Sequence, residues 1–159
     1  MIRVGQGVDA HRLVDGRALI IGGVRLDYPE GLAAHSDGDV LLHAITDAIL
    51  GALGEGDIGQ HFPDTDAAWK DADSRVLLRE ITTRMQNQQF QLANIDATVI
   101  AQKPKMSGYL PTMRQNIASD LGCAEAQINL KATTTEWMGF TGRGEGIAAM
   151  AVALLESID

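Results

Sequence analysis

Asp9-Ala10-His11 sets a carboxylate and an imidazole two residues apart. In an extended strand, residues i and i+2 share a face, so both side chains can reach one ion. His43 offers a third donor from a segment whose apolar residues recur at helical spacing. One Asp and two His make a borderline-hard set suited to Zn²⁺, and three protein ligands leave a fourth tetrahedral position open, as a catalytic zinc requires. A D-x-H tripeptide alone is weak grounds, and a lone helical His is more often a packed or surface residue than a ligand. The neighbouring His35-Ser36-Asp37-Gly38-Asp39 strengthens the metal reading by placing polar groups at the electropositive start of the same helix. There Ser36 or Asp37 can cap the helix while His35 and free N–H groups face a phosphate. Asp47, four residues after His43, reads either as a partner that orients it or as a solvated acid.

These groups need a strand, a helix and a loop that converge. Residues 2–11 alternate apolar and polar and read as the strand; residues 18–26, broken by Gly22-Gly23, read as a hairpin. In residues 36–53, Val40, Leu41, Ala44, Ile45, Ala48, Ile49 and Ala52 give the helical stripe, stopped by Gly54. Residues 54–69 are rich in Gly, Asp and Pro and form a loop long enough to suggest binding. A second helix is expected over 74–85, a strand over 92–102 leading into Lys103-Pro104-Lys105, and a third helix from 108 or 109 to 121 with Gly122 as its cap. Ile128, Leu130 and Ala132 alternate in a strand that delivers Thr134, Thr135 and Glu136, and residues 146–155 are read as a last strand. Asp15, Asp71 and Asp73 are expected to face solvent or cap helices, and His61 to lie on the surface. The predicted fold is α+β, one mixed sheet with three helices packed on one face, in a single domain over residues 1–159.

Bulk properties limit the partners. Thirteen basic against twenty-one acidic residues leave a net charge of −8, which opposes a general grip on nucleic acid, so a phosphate ligand must be held locally. Cys123 is the only cysteine, which excludes an intramolecular disulfide and suits a reducing compartment. Neither an export signal nor a bilayer-spanning apolar run is visible, and with chemistry starting at Asp9 there is no room for a transit peptide. A bacterial cytoplasm, without membrane or nucleic-acid partners, is the expectation.

Three further blocks follow in order. They are Asp57-Ile58-Gly59 with Phe62-Pro63-Asp64-Thr65-Asp66, Lys131-Ala132-Thr133-Thr134-Thr135-Glu136, and Phe140-Thr141-Gly142-Arg143-Gly144-Glu145-Gly146. With these the chain resembles the 2-C-methyl-D-erythritol 2,4-cyclodiphosphate synthase family over nearly its whole length. The resemblance implies a homotrimer with active sites between subunits. It also implies a cytidine diphosphate substrate, 4-diphosphocytidyl-2-C-methyl-D-erythritol 2-phosphate, whose 2-phosphate attacks the β-phosphorus to release CMP. Zn²⁺ on Asp9, His11 and His43 and Mg²⁺ or Mn²⁺ on Glu136 are implied as cofactors, with His35 and Thr134 as catalytic residues and Ser36 beside the 2-phosphate. Asp57, Ile58 and Gly59 match the erythritol contacts, and Phe62, Pro63, Asp64, Thr65 and Asp66 the covering loop. Ala101, Pro104, Lys105, Met106 and Ser107 match the cytosine pocket, with Lys131, Ala132, Thr133, Thr135 and Phe140 in the substrate-facing blocks. Arg143 matches an arginine near the trimer axis, where an isoprenoid diphosphate is a further ligand. Trp137 and Met138 depart from the commoner residues after the glutamate, and Gln6 stands where some relatives carry His. Two other readings use the same features: a metal-dependent hydrolase of nucleoside diphosphate esters, and a metal-bound trimer that senses isoprenoid phosphates without catalysis.

Overall fold

The structure, a computed structural model, describes residues 1–158. Strand β1 (Ile2–Asp15) has the alternation expected of a two-faced strand: Gly5 and Gly7 are buried, while Val4 and Val8 are exposed. It pairs antiparallel with β4 (Glu30–Leu32) at its C-terminal end and with β7 (Gly146–Ser157) along most of its length. Strand β5 (Phe90–Ile100) pairs antiparallel with β7 and parallel with β6 (Ile128–Thr133). The sheet is therefore mixed and five-stranded, in the order β4-β1-β7-β5-β6.

The expectation of a single sheet needs correction. β2 (Leu19–Ile21) and β3 (Val24–Leu26) pair only with each other, as a separate ribbon. Gly22 and Gly23 both have positive φ, +60° and +71°, the backbone of a two-residue hairpin turn that side chains resist. Such a tight ribbon spends its hydrogen bonds internally, while Leu19, Ile21 and Leu26 are buried in the core.

Three long helices cover the sheet, α1 (Val40–Leu53), α3 (Ser74–Asn87) and α4 (Leu110–Leu121), as the periodicity predicts. Two single-turn helices add to them, α2 (Ile58–His61) and α5 (Gly139–Gly142). The first of these, with a 3₁₀ turn at Ala67–Trp69, lies in the segment expected to be all loop. Both turns are capped by aspartates, Asp57 and Asp66, whose side chains accept the backbone N–H groups of Gln60 and Ala68. Among the described residues, no helix is long and apolar enough to cross a membrane.

Helix α1 is the centre of the core, with twelve of its fourteen residues buried. It can lie this close to β1 because Gly5 and Gly7 have no side chains there: a Cβ at either would collide with the carbonyls of Ala48 or Ala44. The helix that carries His43 is thereby pressed onto the strand that carries Asp9 and His11. The sheet's other face is uncovered, with Val4, Val8, Met150 and Val152 at 66%, 57%, 49% and 48% exposure. Four such residues on neighbouring strands make a contiguous apolar surface, of the kind that marks a protein contact.

Candidate active site

Asp9 and His11 stand two residues apart on β1, and His43 faces them from the first turn of α1. Asp9 Oδ2 lies 2.8 Å from His11 Nε2 and 3.0 Å from His43 Nδ1, and the two nitrogens are 3.2 Å apart. A tetrahedral ion about 2.0–2.1 Å from each donor keeps donors roughly 3.3 Å apart, so this triangle need open only slightly to accept one. Burial works against the charge on Asp9, yet hydrogen bonds and positive charge from both histidines outweigh it and hold its pKa at about 2. Burial likewise disfavours the charged form of His43, but the hydrogen bond and charge of Asp9, with Asp39 and Asp37 behind, raise its pKa above the usual value. An anion and two bases converging on one point can hold a divalent cation.

The approach to α1 corrects the capping expectation. The cap is Asp39, fully buried, which accepts the Leu42 N–H at 3.1 Å and those of Gly22 and Gly23 at 2.9 and 2.8 Å. Burial and the charge of Asp37 push its pKa up to about 6, against the pull of those three N–H donors. Asp39 thus ties the β2–β3 ribbon to the start of the helix that bears His43. Asp37 turns instead toward Ser74, the first residue of α3. Asp47 makes no hydrogen bond to His43: its half-buried carboxylate accepts the Ile58 N–H at 2.7 Å and anchors α2. Its half-burial raises its pKa, with that N–H opposing. Asp73 caps α3, as expected of a helix-start aspartate.

A cleft of about 470 Å³ opens beside the triad. His35, Ser36, Ile58, Gly59, Phe62, Pro63 and Asp64 line it together with Asp9, His11 and His43. The predicted triad, the two residues expected beside the 2-phosphate and part of the covering loop therefore meet, while Asp57, Thr65 and Asp66 do not line the cleft. Phe62 packs edge-on against Trp69 at 4.8 Å between ring centres, and His35 Nε2 lies 3.2 Å from the Asp66 carbonyl, so the loop is folded back over its own base. Trp69 and Leu77, which sequence reasoning missed, also line the cleft. His61 is half-buried rather than fully on the surface, with Nε2 2.9 Å from the Glu55 carbonyl.

The remaining predicted residues lie elsewhere in the chain. Ala10 pairs with Ala148, Ala148 with Ile100, and Ile100 with Thr133, so the end of β6 stands three strand spacings from the metal triad, about 14 Å across the sheet. Ala101 and Met106 are buried, at 6% and 4%, leaving chiefly their backbone to a ligand, while Lys105 and Ser107 are exposed and Pro104 is half-buried. Lys131 is paired with Asp96 at 2.8 Å, and Ala132, Thr133 and Thr134 are exposed. Glu136 and Trp137 have φ of +54° and +66°, a left-handed pair unusual for non-glycine residues, which swings the Glu136 carboxylate outward into solvent. Thr135 Oγ1 bonds the Met138 carbonyl at 2.6 Å and Thr141 Oγ1 at 2.8 Å, fixing the turn. Phe140 is partly exposed at 42%, and Arg143 is paired with Glu145 at 3.1 Å. The residues at the end of β6 thus lie apart from the triad, whereas the Phe140–Gly146 block runs back beside His11 and Arg12, where Gly146 pairs with Arg12 and Glu145 meets its guanidinium at 3.3 Å.

Comparison with known proteins bears on both halves. A model of the YgbB family matches residues 2–156. The 2-C-methyl-D-erythritol 2,4-cyclodiphosphate synthase of Geobacillus sp. (strain WCH70) is 60% identical over 156 residues, 98% of this chain and 99% of the relative. The bifunctional IspDF from Campylobacter jejuni superposes with a TM-score of 0.96 at 46% identity; all of this chain matches 43% of that longer one. IspF from Plasmodium falciparum, solved as a CDP complex, superposes at 0.88 with 35% identity, covering 99% of this chain and 97% of the other.

Proposed function

Because the chain belongs to the YgbB family, we propose that it converts 4-diphosphocytidyl-2-C-methyl-D-erythritol 2-phosphate to 2-C-methyl-D-erythritol 2,4-cyclodiphosphate and CMP, a step of non-mevalonate isoprenoid synthesis. It is a phosphorus–oxygen lyase. The observation that carries the reading is the convergence of Asp9, His11 and His43 beside a cleft lined by His35, Ser36 and the 58–64 segment. The substrate's 2-phosphate, with a second pKa near 6, is already ionised at neutral pH, so no side chain need generate a nucleophile. Its oxygen forms a bond to the β-phosphorus, the bond from that phosphorus to the bridging oxygen breaks, and CMP leaves with the electron pair.

The chain's own work is positioning and exclusion of water. Asp9, His11 and His43 would hold a divalent ion, zinc by its donor set, and Glu136 a harder Mg²⁺ or Mn²⁺, which would supply charge neutralisation for the diphosphate. His35 and Ser36 hold the 2-phosphate. Asp57, Ile58 and Gly59 take the erythritol hydroxyls, and Phe62 to Asp66 close over them and keep water from competing. From the other half-site, Ala101, Pro104, Lys105, Met106 and Ser107 read cytosine, chiefly through their backbone. Lys131, Ala132, Thr133, Thr135 and Phe140 line the nucleotide, and Thr134 polarises the diphosphate.

The three strand spacings between the triad and the end of β6, with the uncovered apolar face, support a homotrimer in which one subunit's triad meets the next subunit's nucleotide side. Arg143, exchanging Glu145 for a phosphate, is the group that would meet an isoprenoid diphosphate at the axis. A lone cysteine, half-buried, fits a reducing cytoplasm. The phosphorus NMR spectrum of the reaction decides the chemistry: CMP with a cyclic diphosphate is expected, lost on treatment with chelator. CMP with an open bisphosphate would identify a hydrolase instead.

A further inference from the structure

Behind His43, on the side away from the triad, lies a chain of hydrogen bonds in which Ser74 and Asp37 belong to no ligand assignment. His43 Nε2 is 2.8 Å from Ser74 Oγ and 3.2 Å from Ser36 Oγ. Ser74 Oγ donates to Asp37 Oδ1 at 2.5 Å. Asp37 is held in turn by the N–H of Asp39 on Oδ1 and the N–H of Ser74 on Oδ2, both at 3.0 Å. Ser74, the middle member, is 1% exposed, and Asp37 is half-buried.

A hydroxyl has one proton, and Ser74 gives it to a carboxylate that can only accept. What Ser74 offers His43, at 2.8 Å and closer than Ser36 Oγ at 3.2 Å, is then a lone pair, which favours the neutral tautomer with its proton on Nε2. The other nitrogen, Nδ1, which bonds Asp9 Oδ2 at 3.0 Å in the metal-free chain, is then the one that can turn a lone pair to an ion in the triad. We infer that Asp37 and Ser74 are positioning residues, a carboxylate–hydroxyl–imidazole relay that fixes the tautomer and ring orientation of His43 and makes Nδ1 its metal-ligating atom. Carboxylates commonly orient metal-bound histidines directly; here a serine is interposed, because Asp37 belongs to the loop before α1 and Ser74 to the start of α3. The relay thereby couples the metal site to the packing of α3 against α1. The inference rests on the metal reading of Asp9, His11 and His43.

A purely structural role for the same residues is separable, since Asp37 ties down the N-terminus of α3 through the Ser74 backbone N–H, which Ser74→Ala keeps. Zinc affinity of the metal-stripped full chain, measured by competition with a fluorescent chelator, should fall about 10- to 100-fold in Ser74→Ala. The melting temperature of the metal-free form should stay close to that of the parent. The visible spectrum of the Co²⁺-loaded protein should change as the imidazole loses its orientation. Asp37→Asn should weaken zinc binding in the same direction, and the double variant should lose no more than Ser74→Ala alone, because both act through one relay. Zinc affinity within twofold of the parent in Ser74→Ala, or fully additive losses in the double variant, overturns the relay. Should Ser74→Ala not fold, unchanged zinc affinity in Asp37→Asn overturns it. Absence of zinc binding by the parent chain would instead bring down the metal reading beneath it.

Discussion

If each active site takes its metal half from one subunit and its nucleotide half from the next, two dead enzymes should make a live one. Asp9→Asn removes the carboxylate of the triad, and Glu136→Gln removes the outward carboxylate beyond β6. Asp9 lies on β1, and Glu136 follows the end of β6, with β7 and β5 between those two strands. Each variant alone carries the same lesion at every site and should release almost no CMP. When equal amounts are dissociated, mixed and reassembled, a given site receives an intact metal half with a probability of one half, and an intact nucleotide half from its neighbour with the same probability. About a quarter of all sites should then be whole, with about a quarter of the parent's CMP release per site. Native mass spectrometry of the mixture verifies that mixed trimers form. Mixed trimers without recovered activity would refute the shared site and require each chain to close its own. Recovery without any trimer would refute the assembly.

Three other outcomes test the fold's hold on the site. Gly7→Ala drives a Cβ onto the Ala44 carbonyl and should cost about 1–3 kcal/mol in urea unfolding of the metal-free protein, with weaker zinc binding because His43 adjoins Ala44; an unchanged midpoint would mean that α1 has room to move. In metal-free protein, Asp9 titrates near 2 instead of 3.8, so its contribution is complete above 3.8 and is lost as pH falls through 2. The raised pKa of His43 contributes below 6.5 and is lost as pH rises through its folded value. The stability difference between the parent and Asp9→Asn should therefore peak between about pH 4 and 6.5, at roughly 2 kcal/mol, and vanish toward pH 2; a difference that grows in acid would contradict the sign. Asp47→Ala strips the Ile58 N–H of its partner and should speed hydrogen exchange over residues 58–66, leaving the core amides protected; unaltered exchange would show that α2 is held by something else.

Local spacing made part of this site legible. Asp9 and His11 share a strand face because of a period of two, and His43 lies on a helix announced by seven apolar residues at helical spacing. The three long helices follow the same rule. What spacing could not reveal is which strands become neighbours. β7 inserts between β1 and β5, and that one non-local choice separates Glu136 from the triad. The relay was hidden for a related reason: Asp37 and Ser74 are far apart in the chain, and each reads locally as a helix-start residue. The cap, expected at Ser36 or Asp37, falls on Asp39 because the Gly22 and Gly23 N–H groups of the ribbon turn claim its carboxylate. Asp47 looked like a companion of His43 by helical spacing, but the Ile58 N–H of a chain segment unread as helical captured it first.

The position of β7 also governs when this protein can begin to exist as a folded object. It is the last strand in the sequence, yet both β1 and β5 pair along it. During synthesis, β1 is made first and must wait for nearly the whole chain before its long partner appears; until then its apolar residues have only β4 and the helices to shelter them. Folding is thus dominated by contacts of high sequence separation, which slows it and leaves unpaired strand edges exposed in the interval. Truncating the final dozen residues should remove no assigned site residue and still leave β4-β1 and β5-β6 as two pairs with nothing to join them. A nascent chain halted before Gly146 is, in this sense, a client for a chaperone.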